Sequence, residues 1–213
     1  MNKMQGIGFV LLAGLFSVVL LKTIYNPLMD LIHPKAAVDL SKPVLLRPGD
    51  YLVGKNESVK PGFYDIKALE GKPAFDKVQL SEADQLLGWH LKKNTHVLIE
   101  GKGTVQLLPA TYEPLSIKAN DTYMIHHSGF YKIGEQIRAG TYKLSCTNKA
   151  GEKLDQKPLI KIMPGYEETA RSAYSFINKS SYTIVLKKGD LLEIHKSLFN
   201  EYDHVVIQLK RID

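Results

Sequence analysis

The sequence predicts a mainly all-β protein, a duplicated β-sandwich-like module with short helices, preceded by one N-terminal transmembrane helix. Three observations carry this expectation. An uncharged apolar run lies near the start of the chain, two blocks of residues recur in the same order, and apolar residues alternate with polar ones at a period of two.

The apolar run comes first. From Met4 to Leu21, 18 residues carry no formal charge, and Gln5 and Ser17 are the only polar side chains. As a helix the run spans ~27 Å, close to the ~30 Å hydrocarbon core of a bilayer. Lys22 is placed to snorkel, Tyr25 suits the interface, and Asn26-Pro27 ends the helix. A cleaved signal peptide is the rival reading. Against it, Leu20-Leu21-Lys22 offers none of the small residues that cleavage prefers, and no cysteine follows to carry a lipid. Lys3 on one side and Lys22 with Lys35 on the other nearly balance the positive-inside rule. The short basic N-terminus favours an inside N-terminus and an extracytoplasmic domain. The expected organisation is a signal anchor over 1–25, an interfacial segment and linker over 26–42, a first β repeat over 43–119 and a second over 120–213.

The repeat is the most informative feature. Tyr51-Leu-Val53-Gly54 followed by Val59-Lys-Pro61-Gly62-Phe-Tyr64-Asp-Ile66 returns as Tyr131-Lys-Ile133-Gly134 followed by Ile137-Arg-Ala139-Gly140-Thr-Tyr142-Lys-Leu144. Further on, Val97 to Leu107 aligns with Ile184 to Ile194. Tyr131 and Ile133 alternate with Lys132, and Tyr142 and Leu144 with Lys143, the period of a half-buried strand. Gly54, Gly62, Gly134, Gly140 and Gly189 fall where the chain must turn and where a positive φ carries no Cβ penalty. Pro48-Gly49-Asp50 and Lys188-Gly189-Asp190 are tight-turn sequences, and strand signals recur at 159–163, 174–178 and 205–209. Ser81 to Asp84 followed by Leu86 and Leu87 reads as a short capped helix, and Glu167 to Ser172 as one further turn.

The aromatic-x-aliphatic-Gly element followed by aliphatic-x-x-Gly-x-Tyr resembles a β module of Gram-positive surface proteins and lipoproteins. There the pattern runs Tyr-x-Val-Gly-x-Asp-Ile-Pro-Ala-Gly-x-Tyr. The copy from Tyr131 to Tyr142 matches best, with Gln136 in the acidic position and Arg138 in place of proline, while the first copy is stretched. The resemblance covers two blocks of about a dozen residues. It implies an extracytoplasmic β module and brings no catalytic residue with it.

Composition narrows the function. The formal charge of +6 is spread thinly, and the short runs Lys92-Lys93 and Lys187-Lys188 are each followed by acidic residues, so no nucleic acid is expected as a partner. The lone Cys146 forbids an intramolecular disulfide and reads as a small buried strand residue. No nucleophile elbow, phosphate loop or zinc-protease signature occurs. Asp76, Glu82, Asp84, Glu167 and Glu168 are the carboxylates a hydrolase would draw on. His126-His127 would point to opposite faces of a strand and so suit a loop better than a shared metal, and His195, Asp203 and His204 flank an expected hairpin. Among the aromatics, Tyr51, Phe63, Tyr64, Tyr131 and Tyr142 recur with the repeat and read as core, whereas Trp89, Tyr166 and Tyr174 lie between its blocks. The candidate binding residues are Trp89, His126, His127 and Tyr166, with no catalytic residue, metal or cofactor expected. Triplets for glycosylation begin at Asn56, Asn120 and Asn178 and matter only in a eukaryotic secretory pathway. The expected role is binding or scaffolding against an envelope protein or cell-wall polymer. A subunit recruited through its anchor helix and an envelope hydrolase are the competitors.

Overall fold

A computed structural model describes residues 42–54, 57–148, 158–177, 179–196 and 205–213. The anchor over 4–25, the linker up to residue 41, Asn56, Asn178, Asp203 and His204 lie outside the described residues. Among the described residues no helix is long and apolar enough to cross a membrane.

The described chain is all β. The first half holds β1 (Val44–Leu46), β2 (Gly49–Leu52), β3 (Gly62–Phe75), β4 (Val78–Gln79), β5 (Gln85–Leu91) and β6 (His96–Pro109). The second holds β7 (Ile117–Lys118), β8 (Thr122–Ile125), β9 (Ser128–Lys132), β10 (Gly140–Asn148), β11 (Leu159–Met163), β12 (Ser172–Ser175), β13 (Ser181–Leu186), β14 (Leu191–His195) and β15 (Val205–Arg211). A ten-stranded sheet runs β1-β6-β3-β5-β9-β14-β11-β12, with β2 also on β6 and β4 on β3. A five-stranded sheet runs β13-β10-β15-β8-β7. In the second half the two sheets close on one core. Tyr131, Ile133, Ile160, Ile162, Leu192 and Ile194 of the larger sheet meet Tyr142, Leu144, Ile184, Leu186, Ile207 and Leu209 of the smaller. Alternation along each strand puts these residues on the inner face.

Strand registers relate the halves residue by residue. Tyr51 pairs with Val97 as Tyr131 pairs with Leu192, and Gly62 pairs with Leu91 as Gly140 pairs with Leu186. The same turn bonds recur: Val53 N–H donates to Thr95 O and Ile133 N–H to Asp190 O, while Asn94 and Gly189 N–H donate back to Val53 and Ile133. These registers correct the second block of the sequence alignment. Val97 stands in the place of Leu192 rather than Ile184, so Leu91-Lys92-Lys93 corresponds to Leu186-Lys187-Lys188. A period-two pattern matches itself at every even shift, and only the turn fixes the phase.

The repeated tyrosines are structural. Tyr51, Tyr64, Tyr131 and Tyr142 each donate their hydroxyl to the carbonyl four residues upstream, on Arg47, Lys60, His127 and Arg138, at 2.6–2.9 Å. Gln136, in the acidic position of the resembling pattern, accepts from Lys132 N–H at 3.0 Å and closes the loop before β10. Gly134 and Gly189 take positive φ, as the turns require, but Gly54 and Gly62 do not.

Both expected helices are absent. Ser81 to Asp84 forms a turn in which the Asp84 carboxylate accepts from Ser81 N–H at 2.5 Å, and the chain then enters β5. The capping chemistry was real, but Ala83 adopts φ +71°, which no helix permits, and Leu86 is buried in a strand. Glu167 likewise sits at φ +67° in the β11–β12 turn, and Ser172 opens β12.

Candidate functional site

The halves join where β5 and β9 run parallel, with Leu86 opposite Ser128 and Leu87 opposite Gly129. A bulge makes this approach feasible. Leu87 and Gly88 both stand opposite Asp65, whose carboxylate accepts from Gly88 N–H at 2.8 Å. A Cβ on Gly129 would lie 2.2 Å from Leu87 O, and one on Gly88 2.6 Å from Phe130 O, so glycine is required on both strands.

Half-buried rings gather along this seam. Phe63 of β3 stacks on His90 of β5 with centroids 4.4 Å apart. Tyr166, from the β11–β12 turn, lies 4.5 Å from Phe63 and 5.4 Å from Phe130 of β9. Trp89 meets Phe130 edge-on at 5.7 Å and also faces Phe75 and His195. Hydroxyl bonds hold the arrangement: Tyr112 and Tyr166 share one at 2.7 Å, and Tyr166 donates to Gly88 O at 3.3 Å. The Lys132 ammonium sits 3.9 Å above the Tyr112 ring, within cation–π range. At the rim, Glu167 lies 3.1 Å from His90 Nδ1 and 3.0 Å from Lys92 Nζ.

Burial and charge shift several ionisable groups in and beside the seam. Burial pushes the Tyr112 and Tyr166 hydroxyls above the ordinary phenol range, so both stay protonated at neutral pH. Burial also raises Asp65, against the Gly88 hydrogen bond. The Lys92 hydrogen bond, helped by Lys92 and His90 charge, holds Glu167 below the usual carboxylate range. Beside the seam, Glu193 on β14 takes Lys161 at 3.1 Å and His195 at 2.6 Å. Burial raises that carboxyl, but its hydrogen bonds and charge interactions with His195 and Lys161 outweigh it and its pKa is lowered. Burial pushes the Cys146 thiol up to about 12, which favours its protonated form at neutral pH.

Of the four residues singled out from sequence, the fold brings Trp89 and Tyr166 into this seam. His126 and His127 occupy the bend between β8 and β9. There the His126 carbonyl accepts from Lys196 Nζ and the His127 carbonyl from Tyr131. Phe63, expected in the core, lies in the seam, while Tyr174 packs on Tyr182 at 5.1 Å. Asp76 accepts from Leu98 N–H and Asp84 from Ser81 N–H. Sequence reasoning missed Phe130, His90 and Tyr112. Phe130 had a signal, since it stands where the first half carries the polar Asp50. Tyr112 lies outside any strand at φ +53° and had none. Away from the seam, a concavity of about 540 Å³ is lined by Leu45, Arg47, Tyr51, Leu69, Glu70 and Thr104. No family model, curated protein or solved structure matches the chain.

Proposed function

We propose that this chain is a membrane-anchored, extracytoplasmic binding or scaffolding protein whose aromatic seam contacts an envelope protein or a cell-wall polymer. The observation that carries the binding role is the seam itself. It gathers half-buried rings, fixed by hydroxyl bonds across the boundary between two halves of one domain. Such pre-ordered rings lose little conformational entropy on contact and suit a sugar ring or a protein anchor. The membrane placement rests on the apolar run from Met4 to Leu21.

Two measurements test this. Protease added to intact cells digests a C-terminal tag if the domain is extracytoplasmic; a tag protected until lysis overturns the placement. Retention of the detergent-solubilised full chain on isolated envelopes tests the seam. Tyr166→Ala is expected to weaken retention about tenfold, with Tyr166→Phe, which keeps the ring, closer to wild type. Equal retention of Tyr166→Ala and wild type, with thermal melting confirming a folded variant, overturns the role of the seam.

A further inference from the structure

The smaller sheet carries an uncompensated charge pattern on its outer face. Lys143 on β10 lies directly opposite Lys210 on β15. The row continues in register through Thr183 on β13 at one end and through Thr122 on β8 to Lys118 on β7 at the other. Thr183, Lys143, Lys210 and Lys118 are exposed and Thr122 is half-buried. Like charges directly opposite on neighbouring strands destabilise a sheet. Elsewhere some cations are paired, Lys161 with Glu193, Lys92 with Glu167, Arg171 with Asp190 and Lys132 with Glu135. In this row no described carboxylate pairs with a lysine. Asp213, at the strand end, is engaged by Arg211 and by Thr141 N–H, and Asp121 lies in the turn before β8.

The row is narrow. The next register line holds Ser181, Ser145, Gln208 and Met124, and on the other side Thr141 faces Val185. Strands ~4.8 Å apart place Lys143 and Lys118 about 14 Å from one another across three steps. A single file of three cations, with Lys143 beside Lys210 and Thr122 between Lys210 and Lys118, fits a linear chain of anions better than a broad headgroup surface. We infer that this row is a binding site for a linear, phosphate-bearing polymer of the envelope. The inference rests on the proposed envelope-binding role and names a ligand class for a face other than the seam.

The test uses the full chain in detergent micelles, with poly(glycerol phosphate) as the probe. Wild type is expected to bind with an affinity that falls steeply with salt, through counterion release. The triple variant Lys118→Gln, Lys143→Gln, Lys210→Gln is expected to lose about tenfold or more and to show a salt slope shallower by about two to three. A control removing three exposed lysines elsewhere (Lys77, Lys93 and Lys102, each to Gln) is expected to keep most of the affinity. Absence of binding at low salt, an unchanged triple variant, or an equal loss in the control overturns the site. Equal binding to duplex DNA or to phosphatidylglycerol vesicles, with the same loss in the triple variant, overturns the choice of ligand. Envelope retention separates this inference from the seam. If the triple variant is retained normally while Tyr166→Ala is lost, the lysine row fails and the seam stands; if neither variant loses retention, both fail.

Discussion

In the first half β3 and β6 each run unbroken for 14 residues, whereas at the corresponding registers the second half uses two strands apiece, β10 with β11 and β14 with β15. One hydrogen-bonding scheme is thus satisfied by bent strands in one place and by separate strands in two sheets in the other. The bend depends on glycine. Gly71 pairs with Gly103 at positive φ, and a Cβ on either would lie 2.4 or 2.2 Å from a carbonyl oxygen of the facing strand. The second half has Val205, buried, at the register of Gly103, because there the chain leaves one sheet and enters the other. The lesson is that continuity, rather than the ladder itself, sets the requirement for glycine.

The largest effect expected from this contrast is at that position. Gly103→Val installs the residue the second half already carries, yet it should cost about 4 kcal/mol through backbone strain and overpacking. Denaturant unfolding of the full chain checks it; a loss under about 1 kcal/mol would mean that the bend tolerates a side chain after all.

The tyrosine bonds sharpen the comparison at intermediate size. Tyr142 is fully buried and its bond to Arg138 O is part-buried, so Tyr142→Phe should cost about 1 kcal/mol. Tyr51 makes the same bond at an exposed site, and Tyr51→Phe should cost a few tenths of a kcal/mol, about the size of an ordinary surface change. Equal losses would show that burial does not separate the two.

Acid should act on the halves in opposite directions. Glu193 has a lowered pKa in the folded state, so its stabilisation is present above the unfolded value of about 4.3 and is lost as pH falls through the folded value. Asp65 and Asp76 are raised by burial. Their contribution is present below the unfolded value and is lost as pH rises through the folded one. Unfolding from pH 3 to 7 should therefore show Glu193→Gln flattening the acid loss and Asp65→Asn steepening it. Hydrogen exchange would place the acid-sensitive opening in the second half, where Leu98 of the first half has Glu193 as its counterpart.

The smallest effect is electrostatic. Lys143→Glu, set against Lys210, should raise stability by a few tenths of a kcal/mol while weakening polyanion binding. A stabilised variant that still bound poly(glycerol phosphate) would break the link between the strain in the row and its role.

Much of the fold was legible because local chemistry and final structure agree. Tyr131 to Leu144 fold as their alternation dictates, and 159–163 became β11 without adjustment. Legibility failed where the same local signal serves two structures. Ser81 and Asp84 cap a turn as readily as a helix, and the strand partner Ile66 decided for the turn. The seam was half legible. Trp89 and Tyr166 drew notice as aromatics outside the repeated blocks, but Phe63 was hidden within one, and Tyr112 reaches Tyr166 across 54 positions of chain. Single-sequence patterns report a residue's own strand, not which other strand the bulge at Gly88 will bring to it.

That bulge also marks a difference between the two halves. A head-to-tail contact between unlike surfaces repeats without end wherever both surfaces stay free, and such contacts build filaments. Gly49 retains on β2 the glycine that Gly129 provides on β9. On β13, however, the residue facing Lys143 is Thr183, where the first half places Leu87 and Gly88 opposite Asp65. A side chain at Gly88 would lie 2.6 Å from the incoming carbonyl. The strand β13 thus lacks the paired Leu87-Gly88 bulge by which β5 receives β9.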